Sequence, residues 1–312
     1  MSRPIRFIPP GGAVVEITCR TLHGRYLLKP SRELNEIVVG IVARAARRSE
    51  VEVHAIAVLS NHMHLLVSVR DARRLAGFME YVNGNLAREA GRLHRWRHRF
   101  WARRYRAIVV SDEEAAQVGR LRYLLAQGTK EGLVATPTDW PGVHCAKALL
   151  RGDSLRGIWI DRTRECAARK AGKKYHRYTY ADDESLSLAP LPCWRHLSAE
   201  SHRRAVAGLI AEITTAARSN GPTAISSKAR VRAVLRVHPH DSPGEPDARP
   251  APAFHAYRRR ARRRLEEAYR EFTRAYRAAS ERLRTGDRSA RFPAGSFPPA
   301  LPFVTRPAGR DP

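Results

Sequence analysis

An α+β fold, an antiparallel sheet with helices on one face, is what the sequence predicts for residues 13–150. Three observations predict it: short stretches with an apolar period of two, longer stretches with 3-4 apolar spacing, and their order β-α-β-β-α-β-α. Val14-Val15-Glu16-Ile17-Thr18-Cys19 alternates so that Val15, Ile17 and Cys19 share one face of a strand. Ser31 then caps a helix whose inward positions are Leu34, Ile37, Val38, Ile41 and Val42. Val51 to Leu59 and His62 to Val69 form two strands around a compact Ser60-Asn61 turn. A second helix runs from about Ala72 to Glu89, with Leu75, Phe78, Met79 and Val82 inward. Tyr105 to Val110 is a further strand, and Asp112 to Gln127 a third helix opened by acidic residues.

Beyond this unit the expectation is a mostly helical extension. Residues 151–195, with Pro190 and Pro192 and a polar stretch at Ala181–Ser187, read as an irregular connector. Residues 196–290 read as helical and basic. Ser198 opens a stripe of Val206, Leu209, Ile210 and Ile213 that stops at Ser219-Asn220-Gly221-Pro222, and a short basic helix follows around Lys228–Val237. Those two helices could form a helix-turn-helix-like DNA-binding pair or simply pack together. The proline-rich stretch from His238 to Pro252 reads as a linker. Leu265, Tyr269, Phe272, Tyr276, Ala279 and Leu283 then make a heptad seam too short for a sustained coiled coil, so it should dock on this chain. Residues 291–312 are a Pro-rich tail.

Composition narrows the partner. The 312 residues carry 57 Lys+Arg against 30 Asp+Glu, a formal charge of +27, and 50 of the cations are arginine. An acidic partner is expected, nucleic acid being the commonest, although an arginine-rich proteome supplies part of the bias. The 43% hydrophobic content suffices for a core and argues against wholesale disorder. No apolar run approaches the roughly 20 residues of a spanning helix, so no membrane partner is expected. MSRPIRFIPPGG lacks the apolar core of a secretory signal, and Cys19, Cys145, Cys166 and Cys193 form no CxxC. A reducing cytoplasm is the expected location.

Three clusters could carry chemistry. In Asn61-His62-Met63-His64-Leu65-Leu66-Val67 the two histidines fall on one strand face while Met63, Leu65 and Val67 face the other way. Such a pair can hold one cation, or it can be an incidental pair on a solvated face. Tyr123 and Gln127 lie one helical turn apart, either a phenol beside an amide ligand or ordinary helix surface. Between them, Arg92, Arg95, Arg97, Arg99, Arg103, Arg104 and Arg106 alternate with Trp96, Phe100, Trp101 and Tyr105, and residues 92–106 contain no acid. Arginines bind phosphates through counterion release and aromatic rings stack unpaired bases, so this stretch is the expected DNA contact. A second cluster, Arg258 to Arg264, sits where the helix dipole disfavours cations, a cost that a phosphate backbone could offset.

Taken together, these residues resemble the HUH superfamily of single-tyrosine DNA transposases, particularly the REP-associated tyrosine and insertion-sequence branch. The resemblance covers about residues 13–150. It rests on the first strand, on Asn61-His62-Met63-His64-Leu65-Leu66-Val67, on Trp101 with Arg104-Tyr105, and on Tyr123-x3-Gln127 followed by Gly132-Leu133-Val134, Pro137 and Asp139-Trp140-Pro141. It implies a ferredoxin-like HUH nuclease domain that cleaves and rejoins single-stranded or hairpin DNA through a 5′-phosphotyrosine. It also implies a catalytic Tyr123 and a divalent metal held by His62, His64 and Gln127. Two imidazoles and an amide suit Mg²⁺ or Mn²⁺. The resemblance further implies a bacterial protein that is nucleoid-associated when bound to DNA. Two departures stand out: Glu16 where many relatives have His, which either approaches the metal or, the favoured reading, is solvated, and Gln127-Gly128-Thr129 where relatives carry an Asn-Pro step. Two rival functions share these features, a domesticated hairpin-binding protein without cleavage and a replication-initiator or relaxase-like nicking enzyme. Monomer and homodimer are both left open.

Overall fold

The computed structural model describes residues 5–176, 178–219, 227–243 and 252–299. The chain order is β1 (Ala13–Arg20), α1 (Arg32–Ser49), β2 (Glu52–Val58), β3 (His62–Val69), α2 (Ala72–Leu93), β4 (Arg106–Val110) and α3 (Glu114–Leu125). Then come α4 (Ala146–Arg151), β5 (Leu155–Ile160), α5 (Arg162–Lys170), β6 (Ala181–Leu186), α6 (Ala199–Ser219), α7 (Ser227–Arg236), β7 (Phe254–His255) and α8 (Arg259–Arg284). The main sheet has the order β2-β3-β1-β4-β7. Its first four strands are mutually antiparallel in the ferredoxin-like arrangement, and β7 adds a parallel edge on β4.

Local chemistry explains the elements. Ser31 accepts the Leu34 amide at 3.1 Å as the α1 cap, and Asp71 accepts that of Arg74 at 2.8 Å for α2. Val15, Ile17, Cys19, Met63, Leu65 and Val67 are buried, facing the inward stripes of α1 and α2. Cys19 Sγ donates to Asn83 Oδ1 of α2 at 3.4 Å, which fixes that face of the sheet as the one the two crossover helices cover. The opposite face carries Glu16, Thr18, His62 and His64, and it receives α3.

The region after α3 differs from the sequence expectation. Residues 151–195 are no irregular connector: β5 and β6 pair antiparallel, with α5 between them. This ribbon lies on α1 so closely that a Cβ on Gly40 would stand 2.0 Å from the Ile158 carbonyl oxygen. The buried Glu184 receives Arg44 at 3.1 Å and Arg47 at 2.7 Å, and Arg44 covers the Trp159 ring at 3.6 Å. Polar residues in β6 masked the strand in the sequence, because their partners are arginines of α1 rather than water. Residues 143–145 run along β2, with Val58 N donating to Val143 O and Cys145 N to Ile56 O.

The C-terminal helices dock as the heptad seam predicts. Phe7, Phe254, Tyr269 and Phe272 form a ring cluster with centroids 5.2–6.3 Å apart. Glu113 accepts the amides of Tyr257 and Arg258, placing an anion at the arginine-rich start of α8. The end of α7 is held by Lys29, whose Nζ donates to the Leu235 and Val237 carbonyls. The expected Asn220-Gly221-Pro222 turn, positions 244–251 of the linker and positions 300–312 of the tail lie outside the described residues. Among the described residues no helix is long and apolar enough to cross a membrane.

Candidate active site

Strand β3 delivers His62 and His64 to the face that α3 covers. Their ring centroids are 5.2 Å apart, and Tyr123 stands edge-on to His64 at 5.8 Å. Antiparallel pairing puts Arg20 opposite His62 and Thr18 opposite His64. The pair is therefore not on a solvated face. His64 is buried, and burial pushes the His62 imidazole down to about 3, helped by its histidine neighbour. His62 is thus neutral at neutral pH, the state in which imidazole binds metal.

Gln127 lies just past the end of α3 rather than inside it. Its Nε2 donates to the Tyr123 carbonyl at 3.0 Å, while Oε1 is buried with no hydrogen-bond partner. Gly128, at φ +88°, turns the chain directly after it and lets Gln127 stay fully buried beside His62. An orphaned buried carbonyl oxygen next to two imidazoles fits a hard divalent cation. Among the described residues no three His, Cys, Asp or Glu side chains converge into a metal-holding group. Tyr123 is 37% exposed, open to an incoming strand. Arg120 Cζ lies 4.3 Å and Lys130 Nζ 3.9 Å from its ring centroid.

Glu16 corrects one expectation. It is 2% exposed, paired with Arg120, and its Oε1 lies 3.3 Å from His64 Nδ1. The alternation of β1 placed Glu16 opposite the core face, but only the pairing of β1 with β3 shows that this face is itself covered. Arg120, Lys130 and Thr18 were not singled out from sequence; the one signal was Arg120 lying three residues before Tyr123 on a helix.

Residues 92–106 border the His62 end of the sheet. Leu22 N donates to Phe100 O, Ala102 N donates to Arg20 O, and Thr21 bridges Trp101. The arginines and rings divide the work. Arg92, Arg95, Arg97, Arg99, Arg103 and Arg104 are exposed and Arg106 half-buried. The aromatic side chains, expected to stack bases, also hold the loop. Phe100 is 4% exposed against Trp101, whose Nε1 donates to Asn83 O at 2.9 Å. Trp96 is enclosed by Arg25, His98 and His240. Tyr105 is buried enough that its phenol is pushed well above the ordinary range. Four bulky rings in a basic loop read alike for stacking or anchoring until their neighbours are seen. A cavity of about 690 Å³ near Gly12, Ser68 and Gln117 lies at the opposite end of the sheet.

Residues 25–124 match the family model described as IS200-like transposase. The matched stretch holds His62, His64, the basic loop and Tyr123; Glu16 lies before it and Gln127 after it. Two solved structures are similar. One is a REP-associated tyrosine transposase bound to a REP hairpin, 17% identical over 48% of this chain and 86% of that one, with a TM-score of 0.41. The other is a candidate transposase from Deinococcus radiodurans R1, 16% identical over 41% of this chain and 98% of that one, with a TM-score of 0.28. No curated protein matches the chain.

Proposed function

We propose that this chain cleaves and rejoins single-stranded DNA at a hairpin, with Tyr123 as the nucleophile and a divalent metal, Mg²⁺ or Mn²⁺, held by His62, His64 and Gln127. The observation that carries the reading is the convergence of an open phenol, two imidazoles and an orphaned amide oxygen on one sheet face. When bound, the metal supplies charge that polarises the scissile phosphate.

The chain's own groups do the rest. Arg95, Arg97, Arg99 and their neighbours hold the phosphate backbone beside β1. The fixed turn at Gln127 and the Arg120 and Lys130 cations set the Tyr123 ring. Tyr123 Oη attacks phosphorus, forming the Oη–P bond as the P–O3′ bond breaks. The phenol proton leaves to solvent at the exposed edge of the ring, and the 3′ oxygen takes one up. The 5′-phosphotyrosine keeps the ester energy, so a 3′-hydroxyl of another strand reverses the step without ATP. Such a protein works on the nucleoid.

Incubation with single-stranded hairpin DNA and Mn²⁺, followed by a denaturing gel, tests this. The wild type should give a covalent adduct, and Tyr123→Phe and His62→Ala should not. Tight hairpin binding without an adduct would favour the binding-only alternative.

A further inference from the structure

We infer that Glu16 is a positioning residue that fixes the tautomer of His64 through one carboxylate oxygen and holds Arg120 beside Tyr123 through the other. The inference deepens the proposed function and rests on it for the metal, but its first readout needs neither metal nor DNA.

A carboxylate in the middle of a strand, 2% exposed and opposite Leu66 and Ile108, is costly unless paired on both sides. Both sides are filled. Arg120 of α3 pairs with Oε2, and His64 Nδ1 stands 3.3 Å from Oε1 and 3.2 Å from Thr18 Oγ1. An ionised carboxylate only accepts, so the proton of a neutral His64 sits on Nδ1. Nε2, across the ring, then presents a bare lone pair, as a ligand must. His62 is arranged the same way. Asn61 Nδ2 donates to Gly24 O at 3.0 Å, which settles which end of the amide is oxygen, and that oxygen lies 2.7 Å from His62 Nδ1. One buried acid and one turn amide thus give both imidazoles a common tautomer.

The second oxygen reaches the other half of the site. Arg120 is three residues before Tyr123 on α3, and its guanidinium lies 4.3 Å from that ring. Without Glu16 the side chain would lose the ion pair that restrains it there. His255 of β7 also borders the network, its imidazole held below its ordinary range by burial, with Arg120 acting in the same direction. The charged groups around Glu16 therefore come from β3, α3 and β7, and Glu16 links the β3 and α3 groups directly.

The test uses the full chain, labelled with ¹⁵N-histidine and free of metal, with tautomers read from long-range ¹H–¹⁵N NMR at neutral pH. Two variants are compared with the wild type, Glu16→Gln and the apolar pair Glu16→Met/Arg120→Met, which removes both charges should the single change misfold. The wild type should show His64 as the Nδ1–H tautomer alone, and the variants a mixture. Mn²⁺ affinity, followed by the EPR signal of free ion, should drop by about 10- to 100-fold in both variants. A variant that keeps the single tautomer and the wild-type Mn²⁺ affinity overturns the role of Glu16 and leaves the proposed function standing. A wild type with the expected tautomer that binds no Mn²⁺ supports the Glu16 arrangement and refutes the metal reading.

Discussion

Replacing Arg95, Arg97 and Arg99 together by alanine isolates the electrostatic part of DNA binding. The three side chains are exposed and make no ion pair or hydrogen bond among the described residues, so their removal breaks no internal contact. The loop keeps its anchors, Trp96, Phe100 and Trp101. Each phosphate neutralised on a single strand contributes about 0.7 to the slope of log K against log salt, so three lost contacts lower the slope by about 2. Between about 50 and 200 mM NaCl, a fourfold change, the wild type should therefore lose about 16-fold more affinity than the variant. Fluorescence anisotropy of a labelled single-stranded hairpin, titrated at four salt concentrations, measures this. The variant should melt at the wild-type temperature. An unchanged slope at unchanged stability would show that this loop does not carry the backbone contacts.

Four further outcomes follow from particular contacts. Phe100→Ala should cost about 3–5 kcal/mol in urea unfolding, because the ring is a buried anchor; a stable variant with weakened binding would return it to base stacking. Tyr123→Phe should leave hairpin affinity and the thermal midpoint unchanged, since the ring keeps its Arg120 and Lys130 neighbours, and a large loss of either would assign the hydroxyl a binding role. Burial holds His144 at about 4 in the folded chain, so the unfolded chain binds the extra proton between that value and the ordinary 6.5. Stability should fall on acidification through this window by up to about 1.4 kcal/mol per pH unit from this residue, and His144→Gln should flatten the profile. Gly40→Val should lower the melting temperature by forcing β5 off α1, where the Ile158 carbonyl oxygen lies; an unchanged melting temperature would contradict that close approach.

How much was legible depended on whether the signal was local. The strands and helices from Ala13 to Leu125 follow from their apolar period, and α1 from its Ser31 cap as well. The histidine pair and Tyr123 were legible as residue types at fixed spacings. Glu16 was not, since its burial arises from α3 arriving more than a hundred residues later. The β5–β6 ribbon was hidden for a related reason: Asp182 and Glu184 look solvated in isolation and are paired with Arg44 and Arg47 only in the fold. The division within residues 92–106 between exposed arginines and anchoring rings also needed the third dimension, because both roles ask for the same composition. β7, two residues long, carries no sequence signal at all.

The central claim, that Tyr123 becomes covalently joined to DNA, is tested most directly by mapping the adduct. The full chain is incubated with a single-stranded hairpin and Mn²⁺, digested, and the nucleotide-bearing peptide sequenced by mass spectrometry. A single modified residue is expected, Tyr123, joined to the 5′-phosphate of the DNA. A stable adduct on any other residue, or cleavage of the hairpin with no adduct in the wild type, would contradict it.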